Sequence, residues 1–199
     1  MVSTEVTTKD RLVSAAAALL DAEGEKAVTL RAVGHGAGVS HNAPYKHFRN
    51  RDALLAAVAT ADFEMLADRF EEFHRASQPP LSRLKAALEF VISFSHKRPS
   101  RYHLLFSNPA ISSAEGEVRQ SAMRAFSAFA CLVEACQESG DLPAVPHTTL
   151  SGIVFASLHG LLAFEANGQM HPDKGFIGVG PSVDLLIELI STDHPPPSA

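Results

Sequence analysis

The sequence predicts an all-α chain of about nine helices, and three observations carry that prediction. Apolar residues recur at spacings of three and four along most of the chain. Glycines and prolines fall between those stretches. No run alternates apolar and polar residues between hairpin turns.

The first helix is expected over residues 9–22, with Leu12, Ala15, Ala16, Leu19 and Leu20 on one face and Gly24 as its stop. Thr29 is placed to cap a short second helix through its hydroxyl, with Leu30, Val33 and Ala37 inward. Gly38 suits a tight turn, and Ser40 is the expected cap of a third short helix over residues 41–47. Asn50 caps the fourth, which runs to about Arg75 with Phe63, Leu66, Phe70 and Phe73 spaced by three and four. Pro79 and Pro80 interrupt. The fifth helix covers about 81–96 and ends before Pro99. A short sixth spans 101–106 and is stopped by Pro109, and a seventh covers 113–138. The eighth is expected over 147–167 and the ninth over 181–190, followed by a disordered proline-rich tail at 193–199.

The last two helices are apolar on every side. A helix of that kind must be buried all round, and a partner subunit is the economical cover for the second face. Ile153, Ala156, Gly160, Ala163 and Phe164 on the eighth helix, with Val183, Leu186 and Ile190 on the ninth, are the expected faces of a homodimer built from two helices per subunit. Small residues at Gly152, Ala156, Gly160 and Ala163 allow close helix approach.

Of 199 residues, 46% are hydrophobic and 20% charged, enough for a real core in one or two domains. No stretch reads as an uncharged span across a bilayer. Residues 1–10 lack the basic-then-apolar pattern of a signal peptide, so the cytoplasm is the expected location and a membrane is not an expected partner. Cys131 and Cys136, five apart on one helix, fall on different faces and read as idle or buried thiols.

The net charge of −5 speaks against a polyanion partner until its distribution is read. From Lys26 to Arg51 the charged residues are Lys26, Arg31, Lys46, Arg49 and Arg51, with no acid among them. His35, His41 and His47 lie in the same stretch. A basic segment on an acidic chain has a local purpose, and phosphate binding is the commonest.

That segment coincides with two short capped helices joined by a glycine turn, which is helix-turn-helix geometry. The second helix of such a pair enters the major groove of double-stranded DNA, and its first exposed residues meet base edges. Those residues are His41, Asn42 and Ala43; Tyr45 and Lys46 follow and can reach phosphate, and Ser40 and His47 complete the candidate DNA-binding set on this helix. Thr29 and Arg31 are placed for backbone phosphates, and Arg51 is a further candidate DNA-binding residue. Pro44 lies inside this helix, which is therefore expected to be short and irregular at its start, with the proline ring used for packing.

Thr29-Leu30-Arg31, Ala37-Gly38-Val39-Ser40, Tyr45-Lys46-His47-Phe48, Arg51-Asp52 and Leu54 resemble, in order and spacing, the N-terminal signature of the TetR/AcrR family of one-component transcriptional regulators. The resemblance covers about residues 9–58. His159-Gly160 in the eighth helix is similar to a motif of one TetR subgroup, whose usual tryptophan before that pair is missing here. The resemblance implies a DNA-binding domain at 1–55, an effector-binding and dimerisation domain at 56–192, and release from operator DNA when a small effector binds. A helical ligand-binding or scaffold dimer without DNA binding is the alternative, and the basic residues retained at Arg31, Lys46 and Arg51 argue against it.

Phe63, Leu66, Phe70, Phe90, Phe94, Phe106, Phe126, Phe129 and Phe155 are the candidate lining of an effector pocket, with His159 as its polar anchor. Such a lining suits a largely apolar effector. Gly34, Gly36 and Gly38 imitate a dinucleotide loop, but Val39 stands where the third glycine is needed and no apolar helix follows. Ten histidines contain no His-x-x-x-His pair, and the chain has no Cys-x-x-Cys or Gly-x-Ser-x-Gly. Neither a metal, a cofactor nor an enzymatic activity is expected.

Overall fold

A computed structural model describes residues 6–192. Among these residues there are ten α-helices and no strand: α1 (Thr8–Glu23), α2 (Leu30–Gly36), α3 (Ala43–His47), α4 (Arg51–Arg75), α5 (Pro80–Lys97), α6 (Pro99–Ser107), α7 (Pro109–Ser112), α8 (Glu117–Glu138), α9 (His147–Ala166) and α10 (Val179–Ile190). The expected tail at 193–199 lies outside the described residues.

The boundaries have local causes. Thr7 and Asp10 form a capping box at α1, each side chain meeting the other's backbone N–H. At its far end Gly24 takes φ +80° and donates its N–H to the Leu20 carbonyl at 3.0 Å. Asn50 Oδ1 accepts from the Ala53 N–H at 2.8 Å and so caps α4 as expected. The helix α7 was not separately expected. Asn108 Oδ1 accepts from the Ala110 N–H at 2.9 Å and Pro109 sits in the first turn, so the proline that ends α6 also opens a new turn. Gly116, at φ +67°, then delays α8 to Glu117 instead of 113. Helix α10 begins two residues before Pro181, because that proline falls in the first turn, where the N–H has no helical acceptor.

The chain divides into two compact units, the first made of Met1–Met65 with Lys97–Ala122, the second of Leu66–His96 with Met123–Ala199. In the first, Leu12, Ala16 and Leu20 recur every fourth residue on α1 and are buried with Val28, Val33, Leu54 and Val58. Helix α6 is held by charge as well as packing. Arg101 Nε donates to Asp62 Oδ2 at 2.8 Å, a second guanidinium nitrogen donates to Oδ1, and Nη1 reaches Asp21 Oδ2 on α1 at 3.4 Å. Asp62 is only 1% exposed, and burial raises its pKa against the opposing pull of Arg101.

In the second unit α9 buries Leu150, Val154, Leu158 and Leu162, again every fourth residue. Its other side carries Ile153, Ala156, Gly160, Ala163 and Phe164, all exposed. The expectation that no helix is long and apolar enough to cross a bilayer is corrected here. By length and composition α9 is one, with mean hydropathy 1.4, though Leu150, Val154, Leu158 and Leu162 are buried within the chain. The reason is that it carries an apolar face on both sides and only one is covered within the chain. Arg69 stacks over Phe73 and Phe90 at 5.1 and 5.3 Å, and His96 Nε2 meets Glu165 Oε2 at 2.5 Å.

Candidate nucleic-acid interface

Helices α2 and α3 form a compact pair in the first unit. Thr29 Oγ1 accepts the Ala32 N–H at 3.1 Å, capping α2 as expected. Gly38 turns the chain with φ +64°. The expected cap of the third helix is corrected: α3 starts at Ala43 with Asn42 at its N-cap position, and Ser40 makes only a turn contact, its carbonyl accepting the Ala43 N–H at 2.9 Å. Pro44 therefore sits within the first turn and forfeits no helical hydrogen bond. It is buried, and its ring lies where a β-carbon on Gly34 would come within 2.7 Å of Cγ. Glycine at 34 lets the two helices close on each other.

The residues left outward are His41, Asn42, Tyr45, Lys46 and His47, with Ser40 and Arg31 beside them, all exposed, and Ala43 half-buried. His41 and Tyr45 lean together at 6.0 Å between rings. Arg31, His35, Val39 and His41 border a shallow hollow of about 220 Å³ between the two helices. Arg49, also exposed, lies in the turn between α3 and α4 and borders a different hollow with Glu25 and Asp52; it was counted in the sequence only as bulk charge.

Arg51 does not join it. Its Nε donates to the Val28 carbonyl at 2.8 Å, and Nη2 to the Glu25 carbonyl at 2.6 Å and Glu25 Oε1 at 3.1 Å. The guanidinium clasps the turn that leads into α2, a framework role where a DNA contact was expected. Sequence reasoning also missed Arg11 on α1, whose Nη2 donates to the Ala37 carbonyl at 2.6 Å. It satisfies a carbonyl orphaned at the end of α2 and places a cation at the negative end of that helix.

With this geometry the comparisons with known proteins agree. The model of "Bacterial regulatory proteins, tetR family" matches residues 12–58, and that of "Tetracyclin repressor-like, C-terminal domain" matches residues 84–189. The chain belongs to the TetR family. It is a TetR-family transcription regulator with a helix-turn-helix DNA-binding domain. Among curated proteins none matches.

Solved structures share the fold. A protein of unknown function from Rhodococcus sp. RHA1 is 24% identical over 96% of each chain, with a TM-score of 0.76. SmeT, the repressor of the Stenotrophomonas maltophilia multidrug efflux pump SmeDEF, is 19% identical over 96% of this chain and 95% of its own, with a TM-score of 0.64, and has also been solved with triclosan. FadR from Bacillus subtilis, solved with stearoyl-CoA, is 14% identical over 93% of this chain and 98% of its own, with a TM-score of 0.62.

The candidate effector residues of this TetR-family chain fall in both units. Phe63, 6% exposed, meets Phe106 edge-on at 5.9 Å in the first. In the second, Phe70 and Phe129 lie 5.6 Å apart, Phe155 contacts Phe129 and Phe126 at 5.5 and 5.8 Å, and His159 contacts Phe155 at 4.1 Å. Leu66 and Phe94 are buried and Phe90 half-buried in the same unit. Loss of water around His159 pulls its pKa down to about 4, so this imidazole is neutral at pH 7. Of the expected dimer residues, Val183 is 4% exposed and already used inside the unit. Leu186 and Ile190 are half-buried, and Leu185 and Leu189, not expected, are exposed at 46% and 60%. Cys131 is exposed, and Cys136 is buried with its thiol pushed up to about 12. No group of three or more His, Cys, Asp or Glu side chains suited to a metal occurs among the described residues.

Proposed function

We propose that the protein is a homodimeric repressor that works in the cytoplasm without catalysing a reaction and leaves its operator when a small, largely apolar effector binds. The observation that carries the DNA reading is the outward face of α2 and α3: Arg31 and Lys46 with His41, Asn42, Tyr45 and His47, and no acid between Lys26 and Arg51. Cations at the rim fix register on phosphates, while His41, Asn42 and Ala43 at the start of α3 meet base edges. Residues 1–55 do this work and 56–192 carry effector and partner.

The exposed apolar face of α9 and α10 supports the dimer. Two recognition helices must reach two half-sites about one helical turn apart or at a larger fixed spacing. The aromatic cluster around Phe155, with His159 as its polar group, supports an apolar effector, as does the triclosan held by one protein of this fold. An effector moves the equilibrium only by its preference for the DNA-free state.

The test is fluorescence anisotropy with DNA flanking the protein's own coding region, across a salt series. Tight, sequence-selective binding that weakens steeply with salt is expected. Weak binding, uniform over all sequences, would favour a ligand-binding dimer that has lost its operator.

A further inference from the structure

We infer that the first unit holds a second small-molecule site, distinct from the aromatic cluster and suited to a compact organic cation with an apolar body. A hollow of about 430 Å³ opens among the start of α4, the end of α6, α7 and the approach to α8. That volume lies within the range of about 300–1,000 Å³ typical of ligand pockets. Every residue bordering it belongs to the first unit, whereas Phe70, Phe126, Phe129, Phe155 and His159 belong to the second.

The hollow exists because its walls are small. Ala53 and Ala56 face it from α4, and Ala110 and Ala114 from around α7. Its floor is apolar and well packed: Leu55, Leu104, Ile111 and Val118 are each 7% exposed or less. An apolar body placed there displaces water from hydrocarbon.

The rim decides the charge of the occupant. Glu25 borders the hollow, but its carboxylate is already engaged, Oε1 by Arg51 and Oε2 by Asn108 Nδ2, both at 3.1 Å. Asp52 and Glu115 are exposed at the mouth beside Arg49, and Asp52 Oδ1 also lies 4.0 Å from Arg51 Nη1. Three carboxylates, Glu25, Asp52 and Glu115, against two cations, Arg49 and Arg51, leave one net negative charge at the rim, so a cation is favoured over an anion and need displace neither partner of Glu25. The ligand class is therefore an amphipathic ammonium whose charge stays at the rim and whose hydrocarbon reaches the floor.

The probe is benzyltrimethylammonium, compared with its neutral carbon isostere neopentylbenzene, titrated into the full-length protein and followed by amide chemical shifts. Saturable binding of the cation is expected, with shifts at Ala53, Ala56 and Ile111 and weaker binding of the isostere. Asp52→Asn and Glu115→Gln should each weaken the cation by about threefold, as for an exposed ion pair. Ala56→Phe should fill the hollow and abolish binding. If that variant unfolds, the two charge variants decide alone, since both alter exposed side chains. Absence of saturable binding, equal binding of the isostere, indifference to both charge variants, or shifts confined to Phe126, Phe155 and His159 would each overturn the proposal.

Discussion

Pro44 lies against Gly34 so closely that a single methyl group on the glycine would come within 2.7 Å of the proline ring. Gly34 is helical, so alanine there raises helix propensity by about 1 kcal/mol. The clash with a stiff ring outweighs this, and overpacking of a close contact costs about 1–3 kcal/mol. Gly34→Ala is expected to lower stability in urea and to weaken DNA binding. The double variant Gly34→Ala/Pro44→Ala should recover part of both losses, because the atoms that collide are gone. A double variant as impaired as the two single changes added together would show that the contact is not the cause.

Arg51 and Lys46 are both basic and near the same turn, yet opposite outcomes are expected. Arg51→Ala removes three hydrogen bonds to Val28 and Glu25 and should cost about 1–2 kcal/mol of stability, discounted because the side chain is 36% exposed. The salt dependence of DNA binding should keep its slope. Lys46→Ala should leave stability within about 0.5 kcal/mol, weaken all DNA sequences alike and reduce the salt slope by about one. Asn42→Ala should instead relax the choice of base. Melts combined with anisotropy at four salt concentrations separate these roles.

His159 makes the protein acid-sensitive over a defined range. Its pKa in the fold is about 4, below the ordinary 6.5 of an unfolded chain. Above pH 6.5 both states are neutral there and nothing is lost. Between pH 6.5 and 4 the unfolded state takes up the proton first, so stability falls, by at most roughly 3 kcal/mol. Below about 4 both states are protonated and this contribution levels off. The stability difference between wild type and His159→Asn, measured by urea melts at pH 7 and pH 4.5, should narrow as pH falls. An unchanged difference would place the acid sensitivity elsewhere.

Phe164 and Leu189 are 45% and 60% exposed within one chain, so replacing them leaves the subunit's own core intact. Phe164→Glu/Leu189→Glu should weaken self-association by about 100-fold or more, the cost of burying unpaired charge at a twofold contact. Sedimentation velocity reads this directly, and circular dichroism checks that the monomer is folded. A variant that remains a dimer would assign the interface to another face.

The helices were legible because their signals are local. Thr29, Asn50 and the spacing of Leu12, Ala16 and Leu20 act within a few residues of themselves. The resemblance from Thr29 to Leu54 then carried the family. What escaped depends on partners distant in the chain. Arg51 reads as one more cation until the Val28 carbonyl is seen beside it, and Arg11 is silent without Ala37, 26 residues away. Ser40 is a good cap by type, but Asn42 holds the position because Pro44 must fall in the first turn. Val183 differs from Leu185 and Leu189 only in which way α10 faces, a choice made by packing.

The helix proposed to read DNA, α3, has only five residues, about 7.5 Å of rise, far short of what stands alone in water. Its shape is therefore borrowed from the clasp of Pro44 on Gly34 and from the buried Phe48 that follows. None of His41, Asn42, Tyr45 or Lys46 takes part in that clasp. The letters that address an operator can be rewritten at little cost in folding, so libraries at these four positions, with Gly34, Pro44 and Phe48 held constant, are the natural route to retargeting this regulator.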